Sequence, residues 1–129
     1  MLSRVADNLY WMARHIERAE GMSRMIQVRQ GLALEYAHNE EQLELFWEPL
    51  LKALCAEWAC ESGEPAGRVV RNLIFSEAAS GSISSSISLA RENARMVRDQ
   101  LSEELWVELN NAYLFFRSGE AEDLYRQGS

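Results

Sequence analysis

Residues 8–20, NLYWMARHIERAE, constrain the fold more than any other stretch, because they read as one helix with apolar residues on two opposite faces. One face carries Val5, Leu9, Met12, Ile16 and Ala19 at alternating four- and three-residue steps, the spacing of a helix packing seam. The other gathers Trp11, Met22 and Met25 together with Asp7, Arg14 and Arg18. Charges are seldom set among large apolar side chains unless they are paired or used. That second face is therefore either a buried ion-pair network or one wall of a site. A small bundle does not easily cover both faces, so an exposed apolar patch is expected around Trp11, Met22 and Met25, covered by a second helical half or by another copy of the chain.

The remaining sequence extends the same pattern. A chain of 129 residues is one domain by length, and 47% apolar with 26% charged residues is ordinary for a soluble globular protein. Residues 1–129 are thus read as a single all-α domain, a bundle of four to six helices without a sheet. Ser3 is placed to cap the first helix, which should run to about Glu35, with Gly21 allowing close approach of another helix. Asn39 followed by Gln42 marks a capping box for a second helix over about 39–62, with Leu43, Phe46, Trp47, Leu50, Leu54 and Trp58 as its stripe. Pro49 within it predicts a kink or break near residues 46–47. Ser62-Gly63-Glu64-Pro65 ends that helix.

A short helix near 66–76 follows, then a loop and a serine-rich start into a helix over about 83–101. Its seam is Ile83, Ile87, Ala90, Ala94, Val97 and Leu101, flanked by Arg91, Arg95 and Arg98. Ser102 caps the last long helix, with Glu103 and Glu104 in the favoured first turn and Leu105, Trp106, Leu109, Tyr113 and Phe116 packing inward. Residues 118–129 are polar and expected to fray.

Charge narrows the function classes. The net charge of −7 argues against a general nucleic-acid binder. It is unevenly spread: net +1 over 1–38, −6 over 39–67, +2 over 68–101 and −4 over 102–129. Such alternation suits either solvated faces or segments lying side by side. Twelve of the thirteen basic residues are Arg, whose planar fork suits carboxylate or phosphate, though a high-GC genome gives the same bias. No stretch reaches the apolar length of a membrane span and no signal-peptide pattern opens the chain, so a cytoplasmic location without membrane contact is expected. Cys55 and Cys60 are five apart on one helix, a spacing for neither a disulfide nor a zinc knuckle, and read as reduced thiols. His15 and His38 are isolated. Neither a metal nor a cofactor is expected.

Two constellations remain. The first is Arg14, Glu17 and Arg18 with Asn8, Tyr10 and Trp11, where Glu17 can pair with Arg14 as an ordinary surface bridge. The second is Ser82, Ser84, Ser85, Ser86 and Ser88 leading into Arg91-Glu92-Asn93-Ala94-Arg95. A helix start with hydroxyls and guanidinium forks suits an anion, while a serine run also serves as plain capping chemistry. Arg14 and Arg18 are one turn apart, as are Arg91 and Arg95. Were the two pairs to face each other, four positive charges against Glu17 and Glu92 would favour a bound carboxylate or phosphate, oriented by Asn8 and Asn93. The opposing reading has each pair neutralised by acids of other helices.

Together, LSRVADNLYWMARHIERAEGMSRM, FWEPLLKAL, VVRNLIF and SISSSISLARENARMVRDQLSEELWVELN resemble the bacterial alpha-E proteins over about residues 2–114. The family's Glu-Arg pair then corresponds to Glu17-Arg18, and its Arg-rich run to Arg91 through Arg95. Family members are typically more than twice as long, so the resemblance covers an N-terminal half. Where they often have Asn-Pro-Ser-Ser, this chain has Ala79-Ser80-Gly81-Ser82. The resemblance implies partnership with circularly permuted ATP-grasp proteins and transglutaminase-like proteases, in a peptide synthesis or modification system. The leading expectation is an accessory helical domain that binds a carboxylate or phosphate through Asn8, Arg14, Arg18, Arg91, Asn93 and Arg95. The alternatives are an enzyme in its own right, with Glu17 or Glu92 as acid/base, and a purely structural interaction module.

Overall fold

The computed structural model describes residues 2–36, 38–39, 42, 47–49, 51–52, 68–76 and 81–127. Five α-helices are defined among them: α1 (Leu2–Tyr36), α2 (Arg68–Phe75), α3 (Ile83–Met96), α4 (Glu103–Arg117) and α5 (Glu120–Gln127). A 3-10 turn, Arg98–Gln100, joins α3 to α4. The described residues contain no strand, so the architecture is the all-α one expected. No described helix is long and apolar enough to cross a membrane.

α1 and α3 form the spine. Asn93 on α3 meets Asn8 near the start of α1, whereas Ile83 at the start of α3 shares a core cluster with Ala19, so the two helices run antiparallel. One cluster buries Met12, Ala90, Ala94 and Leu109, with Leu9, Ile16, Leu101 and Trp106 packed on it. The second buries Ala19, Ile26, Trp47, Leu51, Val69, Val70, Leu73 and Ile83. The expected seam of α1 is thus the one used. On α3, Ala90 and Ala94 are completely buried, because small side chains let two helices approach closely.

Local signals explain the boundaries. Ser82 caps α3, its Oγ accepting from the Ser85 N–H at 3.1 Å, and Ser102 caps α4 in the same way from Leu105 at 3.2 Å. The Gln42 N–H donates to Asn39 Oδ1, while the Gln42 side chain accepts from the His38 N–H, one residue before the partner a capping box would use. The rest of the second helix's boundary and stripe, apart from Trp47 and Leu51, lies outside the described residues. So do the expected kink at 46–47, both cysteines, the 62–65 break and residues 77–80.

Four expectations are corrected. Ser3 lies inside α1, which already begins at Leu2, so it is not its cap. The α3 pattern does not run unbroken to residue 101: the α-helix ends at Met96, where Val97 leaves helical geometry at φ −125°. The polar tail does not simply fray over 118–129, since 120–127 form α5, docked through buried Ala121 and a Tyr125–Phe75 ring contact at 5.6 Å. Gly119, at φ +85°, supplies the left-handed turn that lets α5 fold back. Finally, Met22 and Met25 are partly buried against the second cluster, so of the expected exposed trio only Trp11, 47% exposed, stands out from the surface.

Candidate functional site

The two arginine pairs do not share a site. Arg14 sits about 200° round α1 from the buried Met12, and both Arg14 and Arg18 are exposed. Glu17 is exposed too, and its expected pairing with Arg14 is not formed. Neither hydrogen bonds nor ion pairs join Arg14, Glu17 or Arg18 to any described residue. Beside them Tyr10, Trp11 and His15 form a ladder of rings, with centroids 5.3 and 5.9 Å apart. Gly21, expected to admit a close neighbour, meets no other described element within 4 Å of where a Cβ would lie.

Arg91 and Asn93 are two residues apart on α3 and so project about 200° from one another. Asn93 turns to α1, its Nδ2 donating to Asn8 Oδ1 at 3.0 Å while Asn8 Nδ2 donates to the Arg4 carbonyl at 2.9 Å. Arg91 turns to α4. There its Nε donates to Asn110 Oδ1 at 3.2 Å, and its guanidinium lies 4.7 Å from the Tyr113 ring centre and 5.5 Å from that of Trp106. Arg98 approaches the same indole at 4.8 Å. Two guanidiniums on one aromatic shelf are held by ring electrons and shape rather than neutralised by acids. The nearest acid to Arg91, Glu92, reaches it only at 3.9 Å.

Glu92 belongs to Arg95 instead, which grips it through Nε at 3.1 Å and Nη2 at 2.5 Å. That hydrogen bonding holds the Glu92 carboxyl below the usual carboxylate range and raises the Arg95 guanidinium in turn. A carboxylate kept ionised in this way is a poor proton donor near neutrality. Of the sequence-derived candidates, the structure therefore joins Asn8 with Asn93 and Glu92 with Arg95. It sets Arg91 apart against α4 and leaves Arg14, Glu17 and Arg18 bare.

The serine run serves the cap. Ser82 and Ser85 both donate their hydroxyls to the Ser76 carbonyl at the end of α2, the latter at 3.1 Å. Ser82, Ser84 and Ser86 are buried, so this helix start is closed over its own hydroxyls. Two buried polar atoms, His15 Nδ1 and Ser86 Oγ, have no hydrogen-bond partner among the described residues. The register set by Asn8 and Asn93 puts them at the same level of the α1–α3 seam. Burial, and then the nearby Arg18 charge, push the His15 imidazole below its ordinary value.

Sequence reasoning did not select Arg98, Trp106, Asn110, Tyr113 or Arg117 as site residues. The aromatics looked like ordinary core positions of α4, and their contact with Arg91 depends on how α4 folds back. A hollow of about 450 Å³ lies further along this flank, between Ser84, Phe116, Arg117 and the Arg71–Glu122 ion pair. Among the described residues, no group of three or more His, Cys, Asp or Glu is placed to hold a metal ion.

One comparison with known proteins identifies a family. The model of the Alpha-E family, described as a predicted alpha-helical domain with a conserved ER motif, matches residues 1–128. Glu17-Arg18 is the only Glu-Arg dipeptide in the sequence. Uncharacterized proteins of Mycobacterium bovis and Mycobacterium tuberculosis are each 30% identical over 122 residues, covering 84% of this chain and 14% of theirs. The chain thus spans about a seventh of the length of these curated relatives. No solved structure matches it.

Proposed function

The chain belongs to the Alpha-E family, and from that premise we propose that it is a non-catalytic helical partner in an ATP-grasp peptide-ligase system, whose α3–α4 flank receives a carboxylate or phosphate group. One observation carries the ligand half of this reading. Arg91 is positioned mainly by Asn110, Tyr113 and Trp106, its one ion pair, to Glu92, being long at 3.9 Å, and Arg98 beside it has no hydrogen bond or ion pair among the described residues. Guanidiniums fixed by stacking keep donor edges for an incoming anion.

The partner half rests on the family resemblance, which links such domains to circularly permuted ATP-grasp proteins and transglutaminase-like proteases. The outer face of α1 supports a protein contact: Tyr10 and Trp11 are exposed beside the unpaired Arg14, Glu17 and Arg18. A further helical segment of a longer polypeptide, or a second copy, would cover it. Membrane and nucleic acid have no part in this reading.

Co-purification with an ATP-grasp protein encoded beside the gene tests the partnership, and titration with N-acetylglutamate or inorganic phosphate, followed by NMR, tests the ligand. Arg91→Met should abolish the titration. Unchanged binding in that variant would remove the α3–α4 flank from the proposal. A catalytic reading is favoured by one observation, the accessible and unpaired Glu17. Glu17→Gln would have to abolish turnover while the complex still forms.

A further inference from the structure

We propose that the α3–α4 flank is a track for an acidic peptide held in extended, polyproline-like form, with a carboxylate at every third residue. This rests on the reading of Arg91 as an anion-binding group and adds the spacing of the ligand. The Arg91–Asn110 bond fixes the antiparallel register of the two helices, and the same register puts Ser84 beside Arg117, where both line the 450 Å³ hollow. Residues 84, 91 and 98 of the chain are each seven apart. Across the helical part of that run, seven residues are two turns, or about 10.5 Å. Arg117, Arg91 and Arg98 therefore mark three cationic stations along one flank, with the rings of Tyr113 and Trp106 at Arg91, the middle station, and Trp106 also beneath Arg98.

Two stations are free. Arg117 and Arg98 are exposed and make no hydrogen bond or ion pair with described residues. Two acids near the track are already engaged, Glu92 by Arg95 and Glu122 by Arg71 and Arg126. A polyproline-type chain advances about 3.1 Å per residue and repeats its faces every three, so carboxylates at i, i+3 and i+6 line one side about 9 Å apart. The intervening residues would lie on the rings, as prolines do in aromatic-lined grooves.

The test compares two labelled peptides of equal composition by fluorescence anisotropy at low salt, Glu-Pro-Ala-Glu-Pro-Ala-Glu and Glu-Glu-Glu-Pro-Ala-Pro-Ala, with oligo-dT as a control polyanion. The spaced peptide should bind more tightly, and Arg117→Met and Arg98→Met should each weaken it about five-fold, Arg117→Met without moving the melting temperature. Equal affinity of the two peptides, or silence of both variants, overturns the track. If Arg91→Met still weakens N-acetylglutamate in that event, the single-anion site stands alone; if it does not, both readings fall. Tighter binding of oligo-dT than of the spaced peptide would overturn the ligand class.

Discussion

Arg14 and Arg18 on α1, and Arg91 and Arg95 on α3, share one spacing and meet opposite surroundings. The α1 pair stands on a face that no described helix covers. On α3, Arg91 lies under two rings and Arg95 is locked to Glu92. Spacing on a helix sets which residues are neighbours, but the charge environment is supplied by the element packed alongside. α4 brings Asn110, Trp106 and Tyr113 to α3, and no described element makes a comparable approach to the outer side of α1. The covered flank therefore holds its cations in place, whereas the bare face offers them to whatever docks there.

The strongest way to break this contrast is to remove its aromatic support. Trp106→Ala should cost about 2 kcal/mol of stability, since the half-buried indole packs on the Met12–Leu109 cluster and sits under two guanidiniums. Trp11→Ala, on the bare face, should cost less than about 0.5 kcal/mol. Equal urea midpoints for the two variants would abolish the distinction between the regions.

A smaller effect sharpens the seam between α1 and α3. Asn93→Leu should lose about 1 kcal/mol with its bond to Asn8, and combining it with Asn8→Leu should add little. Full additivity would mean that the two amides do not act together. On the arginines, Arg91→Met should cost about 1 kcal/mol, while Arg14→Met and Arg18→Met stay within about 0.5 kcal/mol of wild type. Destabilisation of equal size at all three positions would show that the α1 arginines are structural after all.

The smallest expected effect is a pH dependence. Folding lowers the His15 value, so the unfolded chain binds more protons below the ordinary value of about 6.5. Stability is complete above that value and declines as the pH falls through it towards the folded one. His15→Gln should flatten the urea midpoint between pH 7.5 and 5.5. An unaltered slope in that variant would assign the decline to other groups.

Much of the fold was legible because helical periodicity and capping are local. The seam from Val5 to Ala19, the caps at Ser82 and Ser102 and the α3 stripe through Ala90 and Ala94 follow from steps of three and four and from hydroxyls placed before them. Ser3 misled because α1 begins one residue earlier. The 118–129 tail misled because its polarity was weighed without Phe75, which gives Tyr125 a partner. Met22 and Met25 share a wheel sector with Trp11, yet the Val69–Leu73 cluster reaches only as far as the methionines.

The candidate site was legible in part. Asn8 and Asn93 were named together and do meet, while Arg91 was paired with the wrong helix. Glu-Arg at 17–18 and the Arg-rich run at 91–95 are properties of residue order alone, as are the helical class and the family. Which way each charge faces was decided only by tertiary packing. A helix offers its side chains in every direction, and the antiparallel return of α4 selects Arg91 for the rings of Trp106 and Tyr113 and leaves Arg14 and Arg18 in the open.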